Sequence, residues 1–134
     1  MKAENPVPPM PLARLLIVED DSDLRTALSI GLSIEGYFVQ GVGSVSEAHD
    51  YLKGEPVHLV ITDWYLPDGT GAQVCMAARE VHPSIPIIAL SGLRDECSAT
   101  NAGCRPNLYL DKPLSFTELF SHMRALLTLS TERS

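Results

Sequence analysis

The chain has 134 residues, a formal net charge of −7, 45% hydrophobic and 20% charged residues. That fits one globular domain with a real core, and no apolar run approaches the ~20 residues of a bilayer span. Clustered Lys and Arg for gripping nucleic acid are missing, as is the apolar stretch of a secretory signal, so a cytoplasmic protein that neither binds nucleic acid directly nor enters membranes is expected.

Met1 to Pro11 holds Pro6, Pro8, Pro9 and Pro11 without periodicity and reads as an extended, disordered arm. Leu15–Val18 is a first strand, and Leu24, Ala27, Leu28 and Leu32 then recur at helical spacing up to a stop at Gly36. Phe38–Val42 is a second strand. Ser44 and Glu47 form a capping-box pattern before a short helix with Val45, Ala48 and Leu52 as its stripe.

Val57–Thr62, apolar almost throughout, reads as a central strand covered on both faces. Turn formers fill Trp64 to Gly71, and Val74, Ala77, Ala78 and Val81 mark a helix ended by His82-Pro83. Ile85–Leu90 and Leu108–Leu110 are the fourth and fifth strands. Ser115 and Glu118 open a last helix with Leu119, Met123, Leu126 and Leu127 on its inner face. Residues 92–107 give a poor stripe, so a fourth helix there is expected to be short or irregular.

Alternating strands and helices imply a doubly wound five-stranded parallel sheet with helices on both faces. Residues 12–129 form that single domain, and 130–134 read as a tail or the start of a linker to an output domain, DNA-binding or otherwise. The arm before Leu12 suggests a domain that starts its protein. The odd set Cys75, Cys97 and Cys104, with no C-x-x-C pair, reads as reduced thiols. His49, His58, His82 and His122 are scattered and read as surface or packing residues.

Polar groups close four of the apolar runs: Glu19-Asp20, Asp63, Ser91 and Lys112. In a parallel sheet all lie along one edge, where open α/β sheets place ligands. Adjacent carboxylates repel, and a divalent cation is one reason for them; an acidic turn capping the next helix is another. A calcium loop is excluded by the ligand spacing. Asp63 adds a carboxylate able to attack phosphorus, while Lys112, one of three lysines in the chain, and Ser91 suit a phosphoryl group.

With Pro67 and Gly71 after Asp63, Gly92 after Ser91 and Pro113 after Lys112, residues 12–129 closely resemble the receiver domain of two-component response regulators. The resemblance implies a flavodoxin-like strand order 2-1-3-4-5. It implies that Asp63 accepts a phosphoryl group from a phosphohistidine donor, a sensor histidine kinase or phosphotransfer protein. Asp20 and Asp63 would ligate Mg²⁺ (or Mn²⁺) directly, Glu19 through water and Tyr65 by its backbone carbonyl. Lys112 would contact the phosphoryl group, its bond to Pro113 would be cis, Ser91 would swing toward the phosphate, and Tyr109 would turn inward with it. The fourth helix, fifth strand and fifth helix would offer a homodimer or output face.

The chain departs from the family at Arg105-Pro106-Asn107, at the large Trp64 beside the acceptor, and at Tyr65 and Leu93, whose bulk predicts a long-lived phosphoryl state. The expected role is a switch that catalyses only its own phosphorylation and dephosphorylation. Two other readings are a phosphate-independent interaction module of the same fold and a Mg²⁺-dependent aspartyl-nucleophile phosphohydrolase. The last wants a second carboxylate two residues after Asp63, where Tyr65 stands.

Overall fold

A computed structural model describes residues 13–91 and 105–133. In chain order the elements are β1 (Arg14–Val18), α1 (Ser22–Ile34), β2 (Phe38–Val42), α2 (Val45–Gly54) and β3 (Leu59–Asp63). A small hairpin of β4 (Tyr65–Leu66) and β5 (Gly69–Thr70) precedes α3 (Gly71–Val81). Then come β6 (Ile87–Ser91), β7 (Leu108–Asp111) and the last helix, α4 (Phe116–Arg133). The helical stretch therefore includes residues 130–133, expected as tail or linker.

The main sheet is parallel in the order β2-β1-β3-β6-β7, which is the 2-1-3-4-5 order that the family resemblance implies. Successive side chains of a strand face opposite sides. Leu15 and Ile17 accordingly join Leu28, Leu32, Leu119 and Met123 under α1 and α4, whereas Leu16 and Val18 join Ala48, Leu52, Val74 and Ala78 under α2 and α3. Each fully buried Leu, Ile or Val contributes about 1.5–3 kcal/mol of burial free energy, so the two faces together account for the near-continuous apolar run of β1.

The helix ends follow their residues. Asp21 caps α1 by accepting N–H bonds from Asp23 and Leu24. Gly36, with φ 102°, ends it in the left-handed region that glycine adopts without a steric penalty. Ser44 Oγ accepts the Glu47 N–H at the start of α2, while the Glu47 carboxylate reaches past it to Gly43 N–H. Ser115 Oγ accepts the Glu118 N–H at the start of α4.

Several strand limits differ from expectation. Pro86 has no N–H to donate, so β6 begins at Ile87 instead of Ile85, which is buried in a turn closed by its N–H on the His82 carbonyl. β3 pairs from Leu59 onward and continues through Asp63. The unusual Asn107 ties the start of β7 to its neighbours: its Oδ1 accepts Ile87 N–H at 2.8 Å and Arg79 Nη2 at 2.7 Å.

Cys75, buried on α3, is disulfide-bonded, which overturns the expectation of three reduced thiols. The other two cysteines, Cys97 and Cys104, lie outside the described residues, as do the Pro-rich arm and most of the segment expected to carry a fourth helix. Among the described residues no helix is long and apolar enough to cross a membrane.

Candidate functional site

Parallel register brings the C-terminal ends of β1, β3, β6 and β7 to one edge: Val18 pairs with Thr62, Asp63 with Leu90, and Ser91 with Asp111. Asp63 and Ser91 are the last residues of their strands, not the first loop residues. Trp64 N–H donates to the Leu90 carbonyl at 2.9 Å and Lys112 N–H to the Ser91 carbonyl at 3.0 Å, so ladder bonds hold both positions.

One ligand atom from each of Glu19, Asp20 and Asp63 lies within 4.8 Å of the others. Glu19 is 1% exposed and Asp63 8%, whereas Asp20 faces solvent. Lys112 crosses from the β7 side, its Nζ 3.0 Å from Glu19 Oε1 and 3.2 Å from Asp63 Oδ2. The Lys112–Pro113 peptide is cis. The remaining oxygens are also engaged: Glu19 Oε2 accepts Asp21 N–H at 3.1 Å, and Asp63 Oδ1 accepts Trp64 N–H at 2.9 Å.

Three carboxylates facing one ammonium leave the pocket short of positive charge. Burial, and after it the nearby Glu19 charge, raise Asp63 to about 6, against the opposing pull of Lys112. Burial lowers the Lys112 ammonium, but its hydrogen bond to Glu19 and the charges of Asp63 and Glu19 outweigh that and hold it above the ordinary lysine value. An oxygen-lined, electron-rich pocket of this kind fits a hard divalent cation, which relieves the repulsion that raises Asp63.

The other expected residues surround this centre. Ser91 is buried at the end of β6. Tyr109 is half-buried and meets Trp64 edge-on, ring centroids 5.9 Å apart at 64°. Trp64 is fully buried and packs with Ala72 and Ala89. Tyr65 stands at the rim, 43% exposed. Leu93 lies outside the described residues.

Gly71 explains how α3 can start so close to the acceptor. A Cβ there would lie 2.7 Å from Trp64 Cε3 and 2.9 Å from the Asp63 carbonyl oxygen, and Gly71 N–H donates to the Trp64 carbonyl at 2.7 Å.

Three supporting residues were missed in the sequence. Arg25 lies across Gly41 and Gly43 to donate from Nη1 to the Glu19 carbonyl at 2.7 Å. Asp68 spans back to α2, accepting Val45 N–H at 2.8 Å and Ser46 N–H at 3.0 Å. Gln73 accepts Thr70 N–H at 2.9 Å, and the Thr70-x-x-Gln73 spacing was a readable signal for that cap.

Residues 15–124 match the family model described as response regulator receiver domain. The response regulator RppA of Synechocystis sp. is 36% identical over 118 residues, covering 84% of this chain and 50% of that protein. The response regulator MprA of Mycolicibacterium vanbaalenii is 36% identical over 120 residues, covering 88% and 52%. The chain thus spans about half the length of these curated relatives. Among solved structures, a CheY-like response regulator receiver domain protein from Methanospirillum hungatei superposes with a TM-score of 0.86 at 25% identity, covering 92% of this chain and 99% of that one. Response regulator protein TrrA from Thermotoga maritima, in complex with Mg²⁺-BeF, gives 0.77 at 26% identity over 86% and 99%. The strand-edge carboxylates and lysine sit in a chain that belongs to the response regulator receiver domain family.

Proposed function

We propose that this domain is a phosphorylation-controlled switch in which Asp63 is the phosphoacceptor. The observation that carries the reading is the Lys112 ammonium set between buried Glu19 and Asp63, beside solvent-facing Asp20. Receiver domains of response regulators take phosphate from histidine kinases, and the donor here is a phosphohistidine on a sensor kinase or phosphotransfer protein. One Asp63 oxygen attacks phosphorus, the P–N bond to the donor imidazole breaks, and the imidazole nitrogen keeps the electron pair and takes a proton.

Asp20 and Asp63 would hold Mg²⁺ directly, Glu19 through water and Tyr65 by its backbone carbonyl; Mn²⁺, which accepts the same oxygen donors, would substitute. When bound, the cation supplies positive charge against the phosphoryl oxygens. Lys112 exchanges its carboxylate contact at Asp63 for a phosphoryl oxygen, and Ser91 donates its hydroxyl to another. Tyr109 follows, leaving its half-buried position against Trp64 and changing the surface beside β7. That surface, with α4, would meet an output partner or a second copy of the chain.

Tyr65, two residues beyond Asp63, offers no carboxylate for leaving-group protonation, which favours a switch over a turning-over phosphohydrolase. The protein would act in the cytoplasm, without contacting nucleic acid through this domain.

The test is beryllofluoride, which stands in for the acyl phosphate. With Mg²⁺ it is expected to shift the amide resonances of Ser91, Tyr109 and Lys112 and to change Trp64 emission, with no response in Asp63→Asn. Shifts confined to Asp63 and its immediate neighbours would contradict the switch.

A further inference from the structure

Between the acceptor and α3 the chain makes a very short ribbon. Tyr65 pairs with Thr70 and Leu66 with Gly69, leaving Pro67 and Asp68 as the turn. Two residues per strand do not stabilise a hairpin by themselves. Its pose therefore depends on what holds it from outside, and that pose sets where the Tyr65 backbone carbonyl lies.

Three anchors are visible. At the base, Gly71 N–H bonds to the Trp64 carbonyl, and Gln73 accepts Thr70 N–H. On the inner side Leu66 is buried against the cluster that includes Val45 and Val74. At the tip, Asp68 reaches another element altogether. Its two carboxylate oxygens separately accept the N–H groups of Val45 and Ser46, the first two residues of α2. These amides have no partner within the helix, and the positive end of the helix dipole favours a carboxylate there. Both bonds hold the Asp68 carboxyl below its ordinary range.

The base and inner anchors hold the strands of the ribbon, and the Asp68 bonds tie its turn to the first turn of α2, 23 and 22 residues away in sequence.

We propose that Asp68 is a positioning residue for the cation site: its grip on the first amides of α2 sets the pose of the hairpin that brings the Tyr65 carbonyl to the cation. This rests on the reading of Glu19, Asp20, Asp63 and the Tyr65 carbonyl as a Mg²⁺ site. Asp68 touches neither the cation nor the phosphoryl group. A corollary follows from reciprocity of linked equilibria. If the grip favours cation binding, the cation tightens the grip, so Mg²⁺ slows hydrogen exchange at the Val45 and Ser46 amides.

The comparison that separates positioning from ordinary helix capping lies within α2 itself. Ser44 caps the next amide, Glu47 N–H, from within the same helix end. Ser44→Ala and Asp68→Ala both remove a cap from the same helix end, yet only the second frees the ribbon.

The experiment is Mg²⁺ titration of the full chain and of the Asp68→Ala, Asp68→Asn and Ser44→Ala variants, followed by calorimetry, with amide exchange at Val45 and Ser46 measured in parallel. Asp68→Ala is expected to weaken Mg²⁺ binding about tenfold, the lower end of what losing a supporting contact does to a metal site. Asp68→Asn, which keeps one carbonyl oxygen, should fall between, and Ser44→Ala should stay within about twofold of wild type on the same scale. Wild type that binds Mg²⁺ while Asp68→Ala matches it within twofold would overturn this inference alone, as would equal losses in Asp68→Ala and Ser44→Ala. Wild type that binds no Mg²⁺ would overturn the site reading and the inference with it.

Discussion

Replacing Asp63 by Asn should make the metal-free protein more stable at alkaline pH, although Asp63 is the residue on which the function turns. Its side chain is 12% exposed, and burial with the Glu19 charge raises it from the usual 3.8 to about 6. At about 1.4 kcal/mol per pKa unit, that rise corresponds to a penalty of about 3 kcal/mol for keeping the carboxylate ionised in the fold. That figure already includes the opposing pull of Lys112; Asn removes the charge but buries an amide that must find its own partners, so the expected net gain is about 1–2 kcal/mol.

The sign with pH follows from the direction of the shift. Above about 6 Asp63 is ionised in both folded and unfolded chains and the penalty is complete. Between that value and 3.8 the folded chain takes up a proton that the unfolded chain does not, and the penalty fades. Urea unfolding in EDTA should therefore show the largest advantage of Asp63→Asn near pH 8 and little near pH 4. Saturating Mg²⁺ should reverse the order, because binding to the native state stabilises wild type and the variant has lost a ligand. An Asp63→Asn protein less stable than wild type in EDTA at pH 8, or a difference that ignores pH, would refute the reasoning.

Gly71→Ala should destabilise the protein by about 1–3 kcal/mol and weaken Mg²⁺ binding, because the added Cβ collides with Trp64 and the Asp63 carbonyl; urea unfolding and calorimetry read the two effects. His58 accepts Arg14 N–H at Nδ1, and burial, then His82 and Arg14, lower its pKa. The neutral ring thus favours the fold above the unfolded value of 6.5, and that contribution is lost as the pH falls below it. His58→Asn should flatten this part of the pH profile between 7.5 and 5.5, measured as the difference from wild type in urea unfolding. The phosphoryl group on Asp63 should persist for minutes or longer because Tyr65 occupies the rim; loss within seconds, followed by intact mass after removal of the donor, would contradict that.

The sheet was legible because β1 and β3 are apolar on both faces and every parallel strand is followed by a helical stripe or a turn. Once the strands were read as parallel, the site followed, since parallel strands deliver Glu19, Asp63, Ser91 and Lys112 to one edge. What escaped was non-local. Arg25 looks like any polar position on the outer face of α1, yet two glycines on the β2 side leave it a path to the Glu19 carbonyl. Asp68 reads as a turn residue, and nothing within four residues of it announces a helix end more than twenty positions back. The ribbon Tyr65–Thr70 has strands too short for any alternation to be seen. Trp64, large and beside the acceptor in sequence, is fully buried and meets Tyr109 edge-on, a contact that its sequence position does not announce.

The central claim is that Asp63 takes up a phosphoryl group in this pocket. Intact mass after incubation with Mg²⁺ and a small-molecule phosphodonor tests it most directly, with Asp63→Asn and EDTA as controls. The account predicts one added phosphoryl group on the parent protein and none in either control. No adduct on a folded protein that binds Mg²⁺, or an equal adduct on Asp63→Asn, would contradict it.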